Sequence, residues 1–274
     1  MADGRHFEGL ADEYAAARPP YPPELWRRLR ELGLLRPGAA ALDLGGGSGQ
    51  ATGPLLAAGL RVTAIEPGAR LAGLLRASYP AATVQVARAE DVELAPSSVD
   101  LVVAATSIHW MDLEVLLTKI YTILAPTGRF AVWRNVFGDS EAPPTPFRAR
   151  VAEIVRARRS PERPGPPAED LDAMTAALTA SGLFTVTDAS TYRWSLDLDA
   201  AGVGRLFRTF SDWSAAEVAQ AVDAVTEIGG TVTEHYSSWL LVLAPAPRES
   251  RADAARAGPD ALGEPALTPR ESGR

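Results

Sequence analysis

The residues that could do chemistry begin in a glycine-rich run that follows an acidic residue. Asp43 precedes Gly45, Gly47 and Gly49 in the run DLGGGSGQ, and Glu66 follows 23 residues after Asp43. Glycines allow a tight turn and a close approach of a ligand to bare backbone. A carboxylate at the end of the next strand can accept hydrogen bonds from both hydroxyls of a ribose. The spacing therefore predicts a site for a ligand that contains a nucleoside.

The pattern of the glycine run limits the classes of nucleoside ligand that fit the site. Dinucleotide sites follow the pattern GxGxxG, whereas this run reads GxGxG. Asp43 would repel a pyrophosphate but would attract an ammonium group. From these residues alone, a dinucleotide and another adenosine compound both remain open. The hydrolase elbow GxSxG does not fit, because Gln50 stands two positions after Ser48 where that motif needs glycine.

Composition excludes several other kinds of site. The chain has no Cys, three scattered His and a single Lys, so thiolate chemistry, a zinc centre and a phosphate-binding GxxxxGK[ST] loop have no support. Its net charge of −7, without a basic face, disfavours nucleic-acid binding. No apolar stretch is long enough for a membrane span and no signal pattern opens the sequence, so we expect a soluble, cytoplasmic protein that does not bind membranes.

Elements that could position these residues alternate along the chain. Short runs that are apolar on both faces predict buried parallel strands, and amphipathic segments between them predict helices. The strand runs are 39–45, 61–66, 82–87, 99–106 and 128–133, and the helices are 50–58, 69–78 and 113–124. Two later runs, 185–197 and 231–244, alternate in part and predict an antiparallel pair at the edge of the sheet. We therefore predict an α/β fold with a doubly wound, mostly parallel, seven-stranded sheet.

Composition also divides the chain into segments. We expect a helical lid over 1–34, an α/β core over 35–134, and a helical insertion that caps the site over 135–182. Residues 183–244 would supply the last strands and helices of the acceptor side. Residues 245–274 have almost no bulky apolar side chains, so we predict a disordered tail there.

With these elements in place, the chain resembles class I S-adenosylmethionine-dependent methyltransferases. The resemblance rests on ALDLGGGSGQ, VTAIEPG, ARAEDVEL, SSVDLVVAATSIHW and ILAPTGRFAVW, which occur in the family's order and at its separations. It extends to the branch that includes trans-aconitate and natural-product methyltransferases. The residues that match this branch are Phe7, Tyr14, Arg18, Pro19, Tyr21, Pro22, His109 and Trp110.

The resemblance implies a site for S-adenosylmethionine, which leaves as S-adenosylhomocysteine, and it implies no metal. Asp43 would hold the amino end of the methionine portion, Glu66 the ribose, and Tyr14 would close over the carboxylate or merely pack on the sheet. Arg88 stands where many relatives have Asp, so the adenine amine is left to either Glu90 or Asp91. The remaining implied cofactor contacts are Gly45, Gly46, Gly47, Gly49, Ile65, Pro67, Ala89 and Ala105.

The acceptor side carries a candidate base. His109 follows the fourth predicted strand, and because an unperturbed imidazole has a pKa near neutrality it could take a proton from an acceptor or simply line the pocket. Arg134 could bind an acceptor carboxylate or form a surface ion pair. Further acceptor contacts would come from Tyr21, Trp110 and Trp213. We predict methyl transfer to a small organic acceptor.

Two rival functions remain. One is a protein that binds S-adenosylmethionine or S-adenosylhomocysteine without catalysis, and the other is a methyltransferase of a macromolecule. Analogy with similar folds also allows a homodimer.

Overall fold

The computed structural model describes residues 9, 11–158, 168 and 170–247. The helices are α1 (Ala11–Ala17), α2 (Pro23–Glu31), α3 (Thr52–Ala57), α4 (Ala69–Ser78), α5 (Leu113–Ile123), α6 (Pro146–Arg156), α7 (Leu171–Thr179), α8 (Ala200–Arg208) and α9 (Ala215–Ile228). The strands are β1 (Ala40–Leu44), β2 (Arg61–Ile65), β3 (Thr83–Gln85), β4 (Val99–Ala105), β5 (Leu124–Phe137), β6 (Phe184–Asp199) and β7 (Thr231–Pro245). Phe7 and nearly all of the predicted disordered tail lie outside the described residues.

The sheet has seven strands in the order β3-β2-β1-β4-β5-β7-β6. Strands β1 to β5 are parallel, and β7 pairs antiparallel with both β5 and β6. The predicted doubly wound, mostly parallel α/β fold with an antiparallel edge pair is therefore confirmed. The carboxyl ends of β1, β2 and β4 meet at one edge of the sheet, which is where such folds bind ligands.

Apolar side chains on both faces hold the parallel strands in place. Leu42 and Val102 face one hydrophobic layer with α5, whereas Leu101 and Val103 face another with α2 and α3. Each buried aliphatic side chain contributes about 1.5–3 kcal/mol. Trp133 is fully buried in the second layer, where its ring meets Tyr21 and Trp26 edge-on. The buried Trp133 is thus part of the core and does not line the site.

Strand β5 is longer than the sequence run 128–133 suggests, because β7 pairs along it as far as Phe137 and Tyr236. Strands β6 and β7 continue as an antiparallel pair past that point to the pair of Asp199 and Thr231. Helices α6, α8 and α9 pack on this extension around the buried Phe207. Together, α6, α8, α9 and the β6–β7 extension form the cap. It joins a helix from the predicted insertion to helices that follow β6.

The N-terminal helices have separate positions. Leu25 and Leu29 of α2 are fully buried against the sheet. Helix α1 bridges the core and the cap, since Asp12 pairs with Arg70 of α4 and Glu13 with Arg208 of α8. The segment 18–22 connects the two helices across the ligand edge of the sheet. Helix α1 and this segment together form the lid.

Candidate active site

The glycine loop after β1 is shaped by positions that exclude a side chain. Gly45 has φ +69°, and a Cβ there would lie 2.6 Å from Ser107 Cβ. Gly49 has φ +95°, and a Cβ there would overlap the ring of Tyr79. Ser107 Oγ also donates to the carbonyl of Leu44 at 2.6 Å, which fixes the end of β4 to the end of β1. The sequence pattern therefore serves close packing of the loop as well as exposure of its backbone.

A small pocket of about 20 Å³ lies over this loop. Its lining joins Asp43, Ala105 and the loop to two tyrosines of the N-terminal region, Tyr14 and Tyr21, and the loop contributes Gly45, Gly46 and Gly47. Tyr14 covers the loop, because a Cβ on Gly47 would be 3.9 Å from Tyr14 Cε1. A volume of this size holds about one water-sized group.

Asp43 contributes a carboxylate to the lining of this pocket. It is fully buried, and its Oδ2 accepts a hydrogen bond from Thr52 Oγ1 at 2.6 Å. Its Oδ1 is buried without a hydrogen-bond partner among the described residues. Burial raises the pKa of Asp43 to about 6, the bond from Thr52 opposes the rise, and the charge of Glu66 adds to it. The pocket therefore offers a buried acceptor to a cationic donor, and an ammonium group fits it.

Glu66 lies beside the loop at the end of β2 and is 6% exposed. Its Oε2 accepts from the backbone N–H of Gly47 and its Oε1 from that of Gly68, both at 2.8 Å. These bonds fix the carboxylate between the two loops that flank the ligand edge. Its assignment to the ribose stays a prediction, but the side chain is not a solvated strand end.

The predicted adenine contacts have unequal exposure. Ile65 is fully buried in the core, so its side chain does not reach open space, whereas Pro67 is exposed. Ala89, Glu90 and Asp91 form one 3-10 turn, in which Ala89 is buried and Asp91 is exposed.

Of the two acidic candidates for the adenine amine, Glu90 is the one that the fold holds in place. It pairs with Arg88 at 3.2 Å and accepts from the backbone N–H of Asp112 at 2.8 Å. Burial opposes ionisation of Glu90, but Arg88 and the backbone N–H groups outweigh it and lower its pKa. Both assignments stay predictions.

A cavity of about 380 Å³ adjoins the loop and shares Tyr14, Tyr21 and Gln50 with the small pocket. The structure brings the predicted acceptor residues together in its walls, although they come from distant parts of the chain. They are Tyr21, His109, Trp110, Arg134 and Trp213. His109 is exposed in a 3-10 turn after β4, with its ring centroid 4.9 Å from that of Trp110.

Polar groups of the core hold the lid over this cavity. Tyr21 OH donates to Thr106 Oγ1 at 3.1 Å, and Gln50 Nε2 donates to the carbonyl of Arg18 at 2.9 Å. Asn135 Nδ2 reaches the carbonyl of Pro20 at 3.3 Å. Thr106 has φ +57°, which is unusual for a β-branched residue and places local strain at the exit of β4. No sequence signal pointed to Thr106, Gln50 or Asn135.

Three arginines in the walls lie over aromatic rings. Arg148 Cζ is 4.4 Å from the ring centroid of Phe137, and Arg158 Cζ is 4.9 Å from that of Trp213. Arg18 lies between Tyr14 and Phe210, at 5.0 and 4.8 Å. Sequence reasoning gave Arg18 no role and missed the other two, because arginine is common throughout this chain and its spacing here follows no pattern.

Two kinds of feature are absent from the described ranges. Within 11–158 and 170–247 no helix combines the length and apolar character needed to cross a bilayer. In the same part of the chain no three His, Asp or Glu side chains are grouped to hold a metal ion.

Comparison with known proteins identifies the central part of the chain. Residues 42–132, which run from β1 into β5, match the family described as "Methyltransferase domain". This range is therefore similar to a methyltransferase domain. The resemblance inferred from the sequence motifs is therefore confirmed at this level, and the matched range contains Asp43, Glu66 and His109.

Relatives of this methyltransferase domain agree with that assignment. An uncharacterized methyltransferase of Mycobacterium bovis is 35% identical over 132 residues, 47% of this chain and 52% of that protein. The chain thus spans about half the length of the curated relatives it matches.

Solved structures with the methyltransferase fold match more of the chain. One from Anaeromyxobacter dehalogenans, provisionally assigned as a type II methyltransferase, has a TM-score of 0.60 and 25% identity over 82% of this chain and 97% of its own. A phosphoethanolamine N-methyltransferase of Haemonchus contortus, solved with phosphomonomethylethanolamine and S-adenosylhomocysteine, has a TM-score of 0.53 and 16% identity over 89% and 58%. At that identity, the second comparison shows the shared fold.

Proposed function

We propose that the protein transfers a methyl group from S-adenosylmethionine to a small organic acceptor. The observation that carries the proposal is the buried, unpartnered Oδ1 of Asp43 in the glycine-loop pocket, next to a cavity of about 380 Å³. An acceptor oxygen in that position suits the amino group of the methionine portion. Cavities of a few hundred Å³ are typical of sites for small molecules.

The residues of the loop edge would share the binding of the cofactor. Asp43 would hold the amino group, Glu66 the ribose hydroxyls, and Ala89 and Glu90 the adenine. When bound, S-adenosylmethionine supplies a methyl group that is already activated by its sulfonium. The task left to the protein is to align an acceptor with that methyl group and to exclude water. Tyr14, which covers the loop, is placed to do the latter.

His109 is the candidate base of this site. A base is needed only where the acceptor atom carries a proton that must leave. His109 lines the cavity at the exit of β4, so its ring can reach a molecule held there. Substitution by Ala would slow turnover by about 10²-fold if the ring takes that proton. His235→Ala is the matched control, since His235 does not line the cavity and bonds to Ser195 instead. A rate near that of the wild type for His109→Ala would leave the ring as pocket lining.

Binding by calorimetry is the first test of the proposed function. Purified protein is titrated with S-adenosylmethionine, S-adenosylhomocysteine, NAD and NADP. Selective binding of the first two supports the proposal, and binding of NAD or NADP instead contradicts it. Selective cofactor binding followed by methyl transfer in a screen of acceptors separates an enzyme from a non-catalytic binder.

The charge of the chain and the size of the cavity bear on the class of acceptor. The net charge of −7 disfavours a nucleic-acid acceptor. A small molecule fits the size of the cavity better than a macromolecule does. A cytoplasmic location and a homodimer remain part of the proposal.

A further inference from the structure

We propose that the acceptor carries an anionic group, a carboxylate or a phosphate, and that Arg18 of the lid binds it. The inference rests on the proposed function and names the chemical class of its acceptor.

Arg18 is a cation without a counter-charge in the part of the chain that the structure describes. Its Nη2 donates to the carbonyl of Thr209 at 2.8 Å, and its Cζ lies between the rings of Tyr14 and Phe210. Its Nε is buried without a hydrogen-bond partner among the described residues. A buried donor without an acceptor costs about 1–3 kcal/mol, and more when it belongs to a charged group. A bound anion would remove that cost.

Two other buried donors in the same cavity lack acceptors among the described residues. They are Arg158 Nη2 and the hydroxyl of Tyr236, and both residues line the cavity together with Arg18. Burial raises the pKa of Tyr236 above its ordinary value, so the hydroxyl stays protonated and can donate. The unsatisfied groups of this wall are donors, as the recognition of an oxyanion requires.

The contribution of Arg158 differs from that of Arg18. Arg158 already pairs with Asp212 at 3.1 Å and with Glu217 at 2.8 Å, so two carboxylates more than offset its single positive charge. It therefore adds a hydrogen-bond donor without adding net positive charge. Arg18 supplies the charge, and the anion should be bound mainly through it.

The position of Arg18 favours the acceptor over the cofactor as its ligand. Arg18 contacts Thr209 and Phe210, which follow α8, and although it also lies over Tyr14 it does not itself line the small pocket over the glycine loop. The charges next to the loop are the carboxylates of Asp43 and Glu66. The aromatic side chains of Phe210 and Trp213 line the same cavity as Arg18. An acceptor that joins an anionic group to an apolar or aromatic body matches this arrangement.

Calorimetry with matched probes tests the inference. Phenylacetate, the neutral phenylacetamide and phenyl phosphate are each titrated into the protein, with and without S-adenosylhomocysteine. We expect both anions to bind at least about tenfold more tightly than the amide, because charged hydrogen bonds are worth about 1.5–3 kcal/mol. The tighter of the two anions identifies the carboxylate or the phosphate as the preferred group.

Variants locate the binding group. Arg18→Met should weaken anion binding by about ten- to a hundredfold and leave the affinity for the amide and for S-adenosylhomocysteine unchanged. Arg156→Met is the matched control, since Arg156 is exposed, bonds to its own helix at Ala152 and does not line the cavity. Tyr236→Phe keeps the packing, removes one donor and should weaken anion binding less than Arg18→Met does.

Three results would overturn the inference. They are equal binding of the amide and the anions, unchanged anion binding by Arg18→Met, and a loss of S-adenosylhomocysteine binding by Arg18→Met in place of a loss of anion binding. The titrations without S-adenosylhomocysteine measure anion binding independently of cofactor binding. Failure of the wild-type protein to bind S-adenosylmethionine would contradict the proposed function, while anion binding that depends on Arg18 would still hold.

Discussion

The two halves of the candidate site bury opposite charges. At the glycine loop, Asp43 and Glu66 bury carboxylates next to each other, and the backbone of the loop forms the pocket. In the larger cavity, Arg18 lies over Tyr14 and Phe210 without a counter-charge among the described residues, and Arg148 and Arg158 lie over further aromatic rings. Under the proposed function, the loop half binds the ammonium group of the cofactor and the larger cavity binds the anionic group of the acceptor.

The two halves also differ in whether their buried charged groups have a counter-charge. The carboxylate of Asp43 keeps one oxygen unpartnered among the described residues, and Glu66 adds repulsion to it. Glu234 also has one buried oxygen without a hydrogen-bond partner among the described residues, but its carboxylate is paired with the guanidinium of Arg148 at 3.2 Å. Unpaired buried charge points to a ligand, whereas paired buried charge points to structure. Substitutions at Gly45, Arg148 and Asp43 probe the two halves of the site.

The glycine loop should tolerate no side chain at Gly45. Gly45→Ala places a Cβ against Ser107 and holds a non-glycine residue at positive φ, so we expect a loss of about 4 kcal/mol in the free energy of unfolding. Chemical denaturation measures it. The matched control is Gly73→Ala in α4, where a Cβ meets nothing within 4 Å and helix propensity should add about 1 kcal/mol. Equal effects of the two substitutions would show that the loop is not closely packed.

The pair of Arg148 and Glu234 should be structural. Arg148→Met leaves Glu234, which is 2% exposed, without its partner, and we expect a loss of about 3 kcal/mol at neutral pH. The double variant Arg148→Met with Glu234→Gln removes the buried charge and should recover most of that loss. Denaturation of wild type, both single variants and the double variant gives the coupling. If the single and double variants were equally unstable, the ion pair would not be the cause.

Asp43 should be held for function at a cost in stability. Its folded-state pKa of about 6 lies above the unfolded value of 3.8, so protonation of Asp43 favours the folded state. That contribution is complete below about pH 4 and is lost as the pH rises through 6. We expect Asp43→Asn to raise the free energy of unfolding by about 2 kcal/mol at pH 7.5 and to change it little at pH 4. The same substitution should weaken binding of S-adenosylmethionine at pH 7.5, and a less stable variant at that pH would contradict the account.

The sequence predicts the loop half of the molecule closely, because its determinants are local. Helix α4 has the predicted bounds, and β1 differs from the run 39–45 by one residue at each end. Strands that are buried on both faces are continuous apolar runs, and glycines at a strand exit mark the loop. The placement of Asp43 and Glu66 at adjacent strand ends follows from these two patterns.

The cap half was less predictable, because its determinants are distant in sequence. The length of β5 depends on its pairing with β7 as far as Tyr236. The residues of the run 128–133 contain no signal for that pairing. The cavity wall contains Arg18, Arg158 and Tyr236, which come from three distant parts of the chain. Helix periodicity predicts each helix of the cap but carries no information on which of them meet.

The position of β7 within the sheet has a consequence for synthesis on the ribosome. The strand separates β5 from β6, yet it begins only at Thr231, long after β5 ends at Phe137. While the chain grows, the edge of β5 stays unpaired and β6 has no neighbour in the sheet. Exposed strand edges of this kind bind other chains readily. The nascent protein should therefore be most prone to aggregation, and most dependent on chaperones, in the interval between the emergence of β5 and that of β7.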